Sequence, residues 1–129
     1  MIEIAIYNRL KKDVNINAIV SDRIYPIILP QNLVFPAISY RKQSVDRPGN
    51  FDKASDTYAN SFFQIDAWSE SFAVAKDLHD KIKICLSNFV GLMGDDRIYR
   101  IAIESETQVY ESIIDAYRIS GIFEINHKE

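Results

Sequence analysis

Cysteine and glycine are scarce in this chain, and both shortages exclude classes of protein. Cys85 is the single cysteine among 129 residues, so no disulfide can form within the chain, and a reducing compartment suits it. The four glycines, Gly49, Gly91, Gly94 and Gly121, are scattered and form no phosphate-binding pattern. No serine-nucleophile motif occurs either. We therefore predict no catalytic residue and no cofactor.

A long apolar run and an excess of basic residues are also missing. No stretch approaches the roughly 20 apolar residues of a membrane span, and the first residues lack the pattern of a signal peptide. The net charge is −3, whereas a dedicated nucleic-acid binder normally shows a basic face. The length and the balance of 47% apolar to 26% charged residues predict one globular domain over residues 1–129 and no membrane partner.

Histidine is rare as well, which argues against a metal site. His79 and His127 are the only two, and a metal needs several ligands that converge on one point. We place His79 at the boundary of an apolar helical stripe and His127 in a solvated tail. Cys85 falls inside the same stripe, which favours packing in the core. The sequence thus predicts no metal ligand.

The acidic residues offer two further candidates. Asp66 interrupts an apolar strand, where an acid is disfavoured, and we expect it to pair with Arg41 or Arg100 across the sheet. A catalytic role is the alternative, but no matching second acid is evident. The segment 94–96, Gly-Asp-Asp, can hold a cation, but it follows a helix and precedes a strand, which is typical of a turn.

Two short helices are predicted at the amino terminus. Residues 2–12 show the alternation of a strand and also the four-residue spacing of a helix, and their basic end favours the helix. Asp13 can then cap a short second helix. That helix would carry Val14, Ala18 and Ile19 on one side.

The longest apolar stripe predicts a helix of about five turns in the middle of the chain. Ser69 or Ser71 can cap its start, and Gly91 and Gly94 are expected to end it. Its apolar positions, at steps of three and four residues, are Phe72, Ala75, Leu78, His79, Ile82, Cys85, Leu86 and Phe89.

Alternating apolar residues predict four strands, at 37–44, 58–68, 97–106 and 115–129. On the third, Tyr99, Ile101 and Ile103 should share one face. A charged loop of about fourteen residues, 44–57, separates the first two strands. The order α-α-β-β-α-β-β predicts an α+β domain of two layers: a four-stranded, mostly antiparallel sheet with the amino-terminal helix and the long central helix packed on one face.

The ordered set "DRIYPIILPQ", "FPAISY", "FFQIDAWSESFAVAKDLHDKI", "IESETQVYE" and "AYRISGIFEI" resembles the small tail-completion, or head–tail joining, proteins of long-tailed bacteriophages and prophages. These proteins are also called tail terminator-like. The similarity runs from Ile2 to about His127. Its most specific pieces are residues 23–26, 30–31, 36–38 and the strand that ends at Trp68 before the long helix.

This resemblance implies a structural protein of the virion, made in the bacterial cytoplasm, and not an enzyme. Such proteins are α+β domains that assemble as rings, commonly hexamers, on the end of the tail tube. The implied partners are further copies of the chain, the tail tube protein and the head–tail connector protein. DNA would pass through the lumen without specific binding, which the acidic net charge suits.

Two segments are candidates for contact between subunits. In a ring each subunit presents two different surfaces to its neighbours, and the charged loop can reach across such a contact. We predict that Asp46, Arg47, Phe51, Asp52 and Lys53 lie at a subunit or tube interface; a solvated loop is the alternative.

The second candidate is the apolar stretch 22–40, which holds three of the four prolines. Those prolines prevent a helix and interrupt a sheet ladder. If the apolar side chains of residues 22–40 are exposed, this stretch is the better candidate for a subunit interface. If they pack inward, the charged loop 44–57 is the better candidate.

Two other functions compete with the structural one. A small dimeric module that binds a ligand or a partner would have an aromatic pocket lined by Tyr40, Phe62 and Trp68. A small enzyme that uses Asp66 with an arginine is the least favoured, because the rest of a catalytic apparatus is missing.

Overall fold

A computed structural model describes residues 1–47, 58–87 and 89–128 of the chain. Within those ranges there are three helices and six strands. In chain order they are α1 (Ile2–Lys12), α2 (Val14–Val20), β1 (Ile24–Pro26), β2 (Ala37–Asp46), β3 (Tyr58–Ser69), α3 (Phe72–Leu86), β4 (Gly91–Met93), β5 (Asp96–Glu111) and β6 (Ala116–Lys128).

All six strands belong to one curled sheet with the order β1-β2-β3-β6-β5-β4. Neighbouring strands run antiparallel except β1 and β2, which are parallel. The domain is α+β as predicted, but the prediction of a four-stranded sheet is wrong. The two missed strands, β1 and β4, have three residues each, which is too short for an alternating pattern to show.

The strand β1 begins the proline-rich stretch and adds an edge to the sheet. Its residues lie beside residues 38–40 of β2, and Pro26 occupies its last position, where an edge strand tolerates proline. The guanidinium of Arg23 fixes this edge, because it donates hydrogen bonds to the carbonyl oxygens of Pro36 at 2.8 Å and Ile19 at 3.2 Å. The chain then leaves the sheet at Ile27, whose φ is 65°.

The helix α1 is confirmed, and so is the capping role of Asp13. The Asp13 carboxylate accepts hydrogen bonds from the N–H groups of Asn15 and Ile16, the first turn of α2. The predicted inner face of α2 is wrong, however, because its buried residues are Ile16 and Val20, whereas Val14 and Ala18 are exposed. Seven residues make about two turns, so either apolar pair satisfies a helical period.

The long helix α3 is confirmed but is shorter than predicted. Ser71 caps it by accepting the N–H of Val74 at 3.4 Å, and it ends at Leu86 because Ser87 has extended backbone angles. The expectation that glycines end it is wrong. Gly91 instead begins β4, and Gly94 lies in the turn between β4 and β5 with φ 62°, so the turn predicted at 94–96 is confirmed.

One hydrophobic core lies between the helices and one face of the sheet. The α3 residues Leu78 and Ile82 are fully buried against Phe63 of β3 and Phe123 of β6. The opposite face of the sheet carries no helix among the described residues. It is polar: the row Ser39, Asp66, Ser120 and Thr107 crosses four strands in register.

The strand β5 departs from the predicted alternation. A bulge lies between Ile98 and Arg100, so Ile98 and Ile101 are buried whereas Tyr99 is exposed. The prediction that Tyr99 shares a face with Ile101 is therefore wrong. A bulge inserts one residue and reverses the facing of those that follow, which alternation alone cannot reveal.

Gly121 of β6 lies close to the side chain of His79 on α3. A Cβ atom there would lie 2.9 Å from Phe123 Cε1 and 3.0 Å from His79 Cε1. Both neighbours are buried in the core, so neither ring can move aside easily.

We predict that Gly121→Ala lowers the free energy of unfolding by about 1–3 kcal/mol through overpacking. Chemical denaturation measures this. The control is Ser105→Ala on exposed β5 surface, expected to change stability by less than about 0.5 kcal/mol. A Gly121→Ala variant as stable as the control would contradict the packing described.

Candidate assembly surfaces

The predicted interface residues lie only partly within the described structure. Asp46 is the last residue of β2, opposite Asn60 of β3, and Arg47 follows it; both are exposed. The loop was predicted to start at residue 44, and that boundary is wrong because the strand runs to Asp46. Phe51, Asp52 and Lys53 lie outside the described residues, so their role stays a prediction.

The proline-rich stretch presents apolar side chains to solvent. Ile27 and Ile28 are 72% and 75% exposed, and Val34 is also exposed, while Leu29 and Phe35 are half-buried. We call residues 27–35 the proline segment. Because its apolar side chains point outward, it meets the condition set above for a candidate subunit interface.

A cleft of about 310 Å³ lies between the proline segment and the polar face of the sheet. Tyr40 and Trp68 contribute to its wall, as the competing binding-module hypothesis predicted, but Phe62 does not. The indole N–H of Trp68 donates to Ser39 Oγ at 2.9 Å. This hydrogen bond satisfies the polar atom of Trp68 within the fold.

A second apolar surface lies at the turn of the hairpin between β5 and β6. Ile113 lies in this turn and is 97% exposed, and Tyr110 and Tyr117 lie near the strand ends that the turn joins. The ring centroids of Tyr117 and Phe72 are 5.6 Å apart, and those of Tyr117 and Tyr110 are 5.1 Å apart. We define the tip cluster as Phe72, Tyr110, Ile113, Ile114 and Tyr117.

Sequence reasoning missed the tip cluster, since it left residues 107–114 unassigned. A usable signal was present. Ile113 and Ile114 are adjacent between Ser112 and Asp115 in a turn, where polar residues are the rule. An apolar pair at such a position is a candidate for contact with another molecule when it forms part of a larger exposed apolar patch.

Asp66 does not form the predicted ion pair. Its carboxylate accepts hydrogen bonds from Gln64 Nε2 at 3.1 Å and from Ser39 Oγ at 3.4 Å. Arg41 donates instead to Gln64 Oε1 at 2.9 Å, and Arg100 lies two strands away on β5. The register explains the error, because Gln64 is the residue opposite Arg41.

His79 joins α3 to the exposed part of β5. It is only 1% exposed, deeper than the boundary position predicted. Its Nε2 lies 2.5 Å from Oε1 of Glu106, to which Nε2–H donates, while Lys83 Nζ lies 3.1 Å from the same oxygen. The bonds from His79 and then Lys83 hold the pKa of Glu106 below its ordinary value of 4.5. His79 Nδ1 has no partner among the described residues.

The remaining chemical candidates are structural. His127 was predicted to be solvated and is buried, with Nε2 2.7 Å from Ser61 Oγ. The core position of Cys85 is confirmed, and burial raises its pKa to about 11, which leaves the thiol protonated and unreactive at neutral pH.

Neither a metal site nor a membrane helix occurs in the described part of the chain. Across residues 1–47, 58–87 and 89–128, no three His, Cys, Asp or Glu side chains are grouped so that they could hold a metal ion. No helix in the same ranges has the length and apolarity needed to cross a membrane.

Comparison with known proteins decides the family. The family model described as "Tail completion protein gp17" matches residues 4–125. The chain belongs to this family. No curated protein matches it significantly. A solved chain from "Virion of native gene transfer agent (GTA) particle" shares the fold with a TM-score of 0.83 at 19% identity, covering 98% of this chain and 94% of that chain.

Family membership confirms the resemblance inferred from the sequence. This tail completion protein is a structural component of a phage-type virion and has an assembly role, not a catalytic one. The exposed apolar surfaces, rather than a pocket with reactive groups, are therefore the functional candidates in this fold.

The bond between His79 and Glu106 predicts a pH effect. The pKa of Glu106 is lowered in the folded state, so its stabilising contribution is present above about pH 4.5 and is lost as the pH falls through the lowered value. Glu106→Gln should reduce stability at neutral pH by about 1 kcal/mol or less, because the carboxylate is partly exposed.

Urea denaturation at several values between about pH 7 and about pH 3 measures the effect. The gap between the original protein and the variant should close as the pH falls. Glu104→Gln, on the same strand and exposed, is the control and should show little change. A gap that stays constant or widens in acid would contradict the assigned interaction.

Proposed function

We propose that this tail completion protein ends the tail tube by closing into a ring on it and forms the surface that meets the head–tail connector. The match of the family model over residues 4–125 carries the proposal, because it spans both helical and strand elements rather than one motif. The structural role in the tail follows from the family. We propose the ring, its position at the end of the tail tube and its contact with the head–tail connector.

The distribution of apolar surface supports a ring. A single subunit exposes the tip cluster beside β6 and the proline segment beside β1, two patches of different composition. Soluble monomers rarely leave such patches uncovered. Two unlike patches suit a heterologous contact, in which the patch of one copy meets a different patch of the next and rotation closes the ring.

The charges of the polar sheet face suit a passage for DNA. Two of its arginines form ion pairs within the subunit: Arg118 lies 2.8 Å from Glu111, and Arg100 lies 4.0 Å from Glu124. The net charge of −3 adds no general attraction for phosphate. A lumen lined in this way would let DNA slide without holding it.

Native mass spectrometry combined with negative-stain imaging, with and without tail tube protein, tests the proposal. We expect a ring of several copies, stabilised by the tube, and tubes of limited length with the ring at one end. A stable two-fold dimer indifferent to the tube would favour the competing binding module. Tubes whose length and ends are unchanged by excess protein would overturn the proposal.

A substitution in the tip cluster tests whether this surface lies between subunits of the ring. Ile113→Asp places a charge where the side chain touches almost nothing in its own subunit, so the melting temperature should not change. Ring formation should weaken by at least about tenfold if the residue is buried between subunits. Val14→Asp, also highly exposed on α2, is the matched control, and equal assembly of both variants would exclude the tip cluster from the contact.

The loop prediction is tested in the same assay. Replacing Phe51, Asp52 and Lys53 together by serine should leave folding intact and weaken either ring formation or docking on the tube, because two charges and one aromatic ring are lost from the predicted contact. Light scattering measures assembly, and phage viability measures function. If both stay at the original level, the loop is only a solvated connection.

A further inference from the structure

The strand β5 has a long edge that no described strand covers. β4 pairs only with residues 96–98, so in the described ranges β5 has a neighbour on just one side from Tyr99 to Glu111. The run from Ser105 to Glu111 pairs regularly with β6, after two bulges nearer the start of the strand. All but two of these seven residues are exposed.

An uncovered edge of this kind is a template for another strand. Its outward N–H and C=O groups form a row, and proteins that stay monomeric usually protect such a row with charged side chains, lysine above all, or with proline or bulges. Glu106 and Glu111 are the charged residues of this run. The run "SETQVYE" contains neither proline nor lysine and no bulge. Threonine, valine and tyrosine, three of its members, favour strands.

The opposite edge of the sheet is also partly open. β1 covers β2 only along residues 38–40, and beyond them no described strand lies outside Arg41–Asp46. That segment holds two cations and one acid, whereas β5 from Tyr99 to Glu111 holds three glutamates and one arginine. Counted from these residues alone, the two open edges have formal charges of opposite sign, positive on β2 and negative on β5. Within the subunit Lys42 pairs with Glu3, and Glu106 and Glu111 pair with Lys83 and Arg118. The complementarity that favours contact is therefore chiefly that of Arg41 with the carboxylates of β5.

The direction of the strands makes these edges compatible in a ring. β2, β3, β6 and β5 alternate in direction across the sheet, so β5 runs opposite to β2. Copies related by rotation about one axis keep each strand's direction along that axis. Where β5 of one copy meets β2 of the next, the pair is therefore antiparallel, the more stable arrangement.

We propose that Ser105–Glu111 of one copy pairs with Arg41–Asp46 of the next copy, so that the sheets of neighbouring subunits join edge to edge around the ring. The occupant of the open β5 edge is a second copy of this chain. This inference rests on the ring proposed above and names the surface that closes it. A sheet that continues around an axis has no free edge left, which explains why the isolated subunit leaves two open.

Hydrogen exchange measured by mass spectrometry on the full chain tests the pairing. The ring, assembled with tube protein if needed, is compared with dilute monomer. Peptides that cover Ser105–Glu111 and Arg41–Asp46 should exchange at least about tenfold more slowly in the ring, since their outward amides gain partners. Peptides from α2 serve as the internal control and should exchange at the same rate in both states.

The outcomes separate this inference from the proposal of a ring. Slower exchange in both segments supports the pairing. A ring in which neither segment slows overturns the pairing but keeps the ring. A dimer in which only Ser105–Glu111 slows indicates that two β5 strands pair with each other, which also overturns it. If no ring forms under either condition, the ring and the pairing fail together.

A pair of variants provides an independent test. Ser105→Lys with Thr107→Lys places two lysines on the exposed β5 edge, and lysine is a residue that proteins use to prevent pairing at a strand edge. This variant should raise the concentration needed for assembly at least about tenfold without lowering the melting temperature. Asn15→Lys with Ala18→Lys makes the same charge change on exposed α2 and should assemble normally; equal assembly of both variants would overturn the pairing.

Discussion

The pairing of β3 with β6 is the interaction on which the rest of this structure depends. Twelve consecutive residue pairs, from Tyr58 with Lys128 to Ser69 with Tyr117, join the two strands without a shift in register. Because the register is uninterrupted, one face carries buried Phe63 and Ile65 of β3 beside Phe123 of β6, and α3 packs on this face. The same register places the polar row through Asp66 on the other face. A slip of one residue would exchange the two faces and expose the core.

This central pair also decides where the surfaces of the subunit lie. β2 and β5 flank it, so they are the long strands left nearest to the two edges of the sheet. The short strands β1 and β4 cover only part of each edge. The tip cluster lies where the β5–β6 hairpin turns, and the proline segment lies beside the other edge. A subunit built in this way is complete in its core but incomplete at its periphery, which suits a protein whose role is assembly.

Sequence reasoning identified the elements that are long enough to show a period. Phe63, Ile65 and Ala67 alternate over a strand that is buried on one face, and α3 carries an apolar stripe over fifteen residues. The family was also recognisable from ordered short segments. Features that depend on strand pairing could not be predicted from the sequence. The partner of Asp66 follows from the register between β2 and β3. The burial of His127 follows from its position beside Ser61. Strands of three residues carry no period at all.

The most direct test of the account is an electron cryo-microscopy reconstruction of tail tubes assembled with this tail completion protein. The account predicts one ring at one end of each tube, with copies related by rotation and with β5 of each copy beside β2 of the next. Copies related by a two-fold axis, copies spread along the tube, or a ring whose sheet edges face solvent would contradict it.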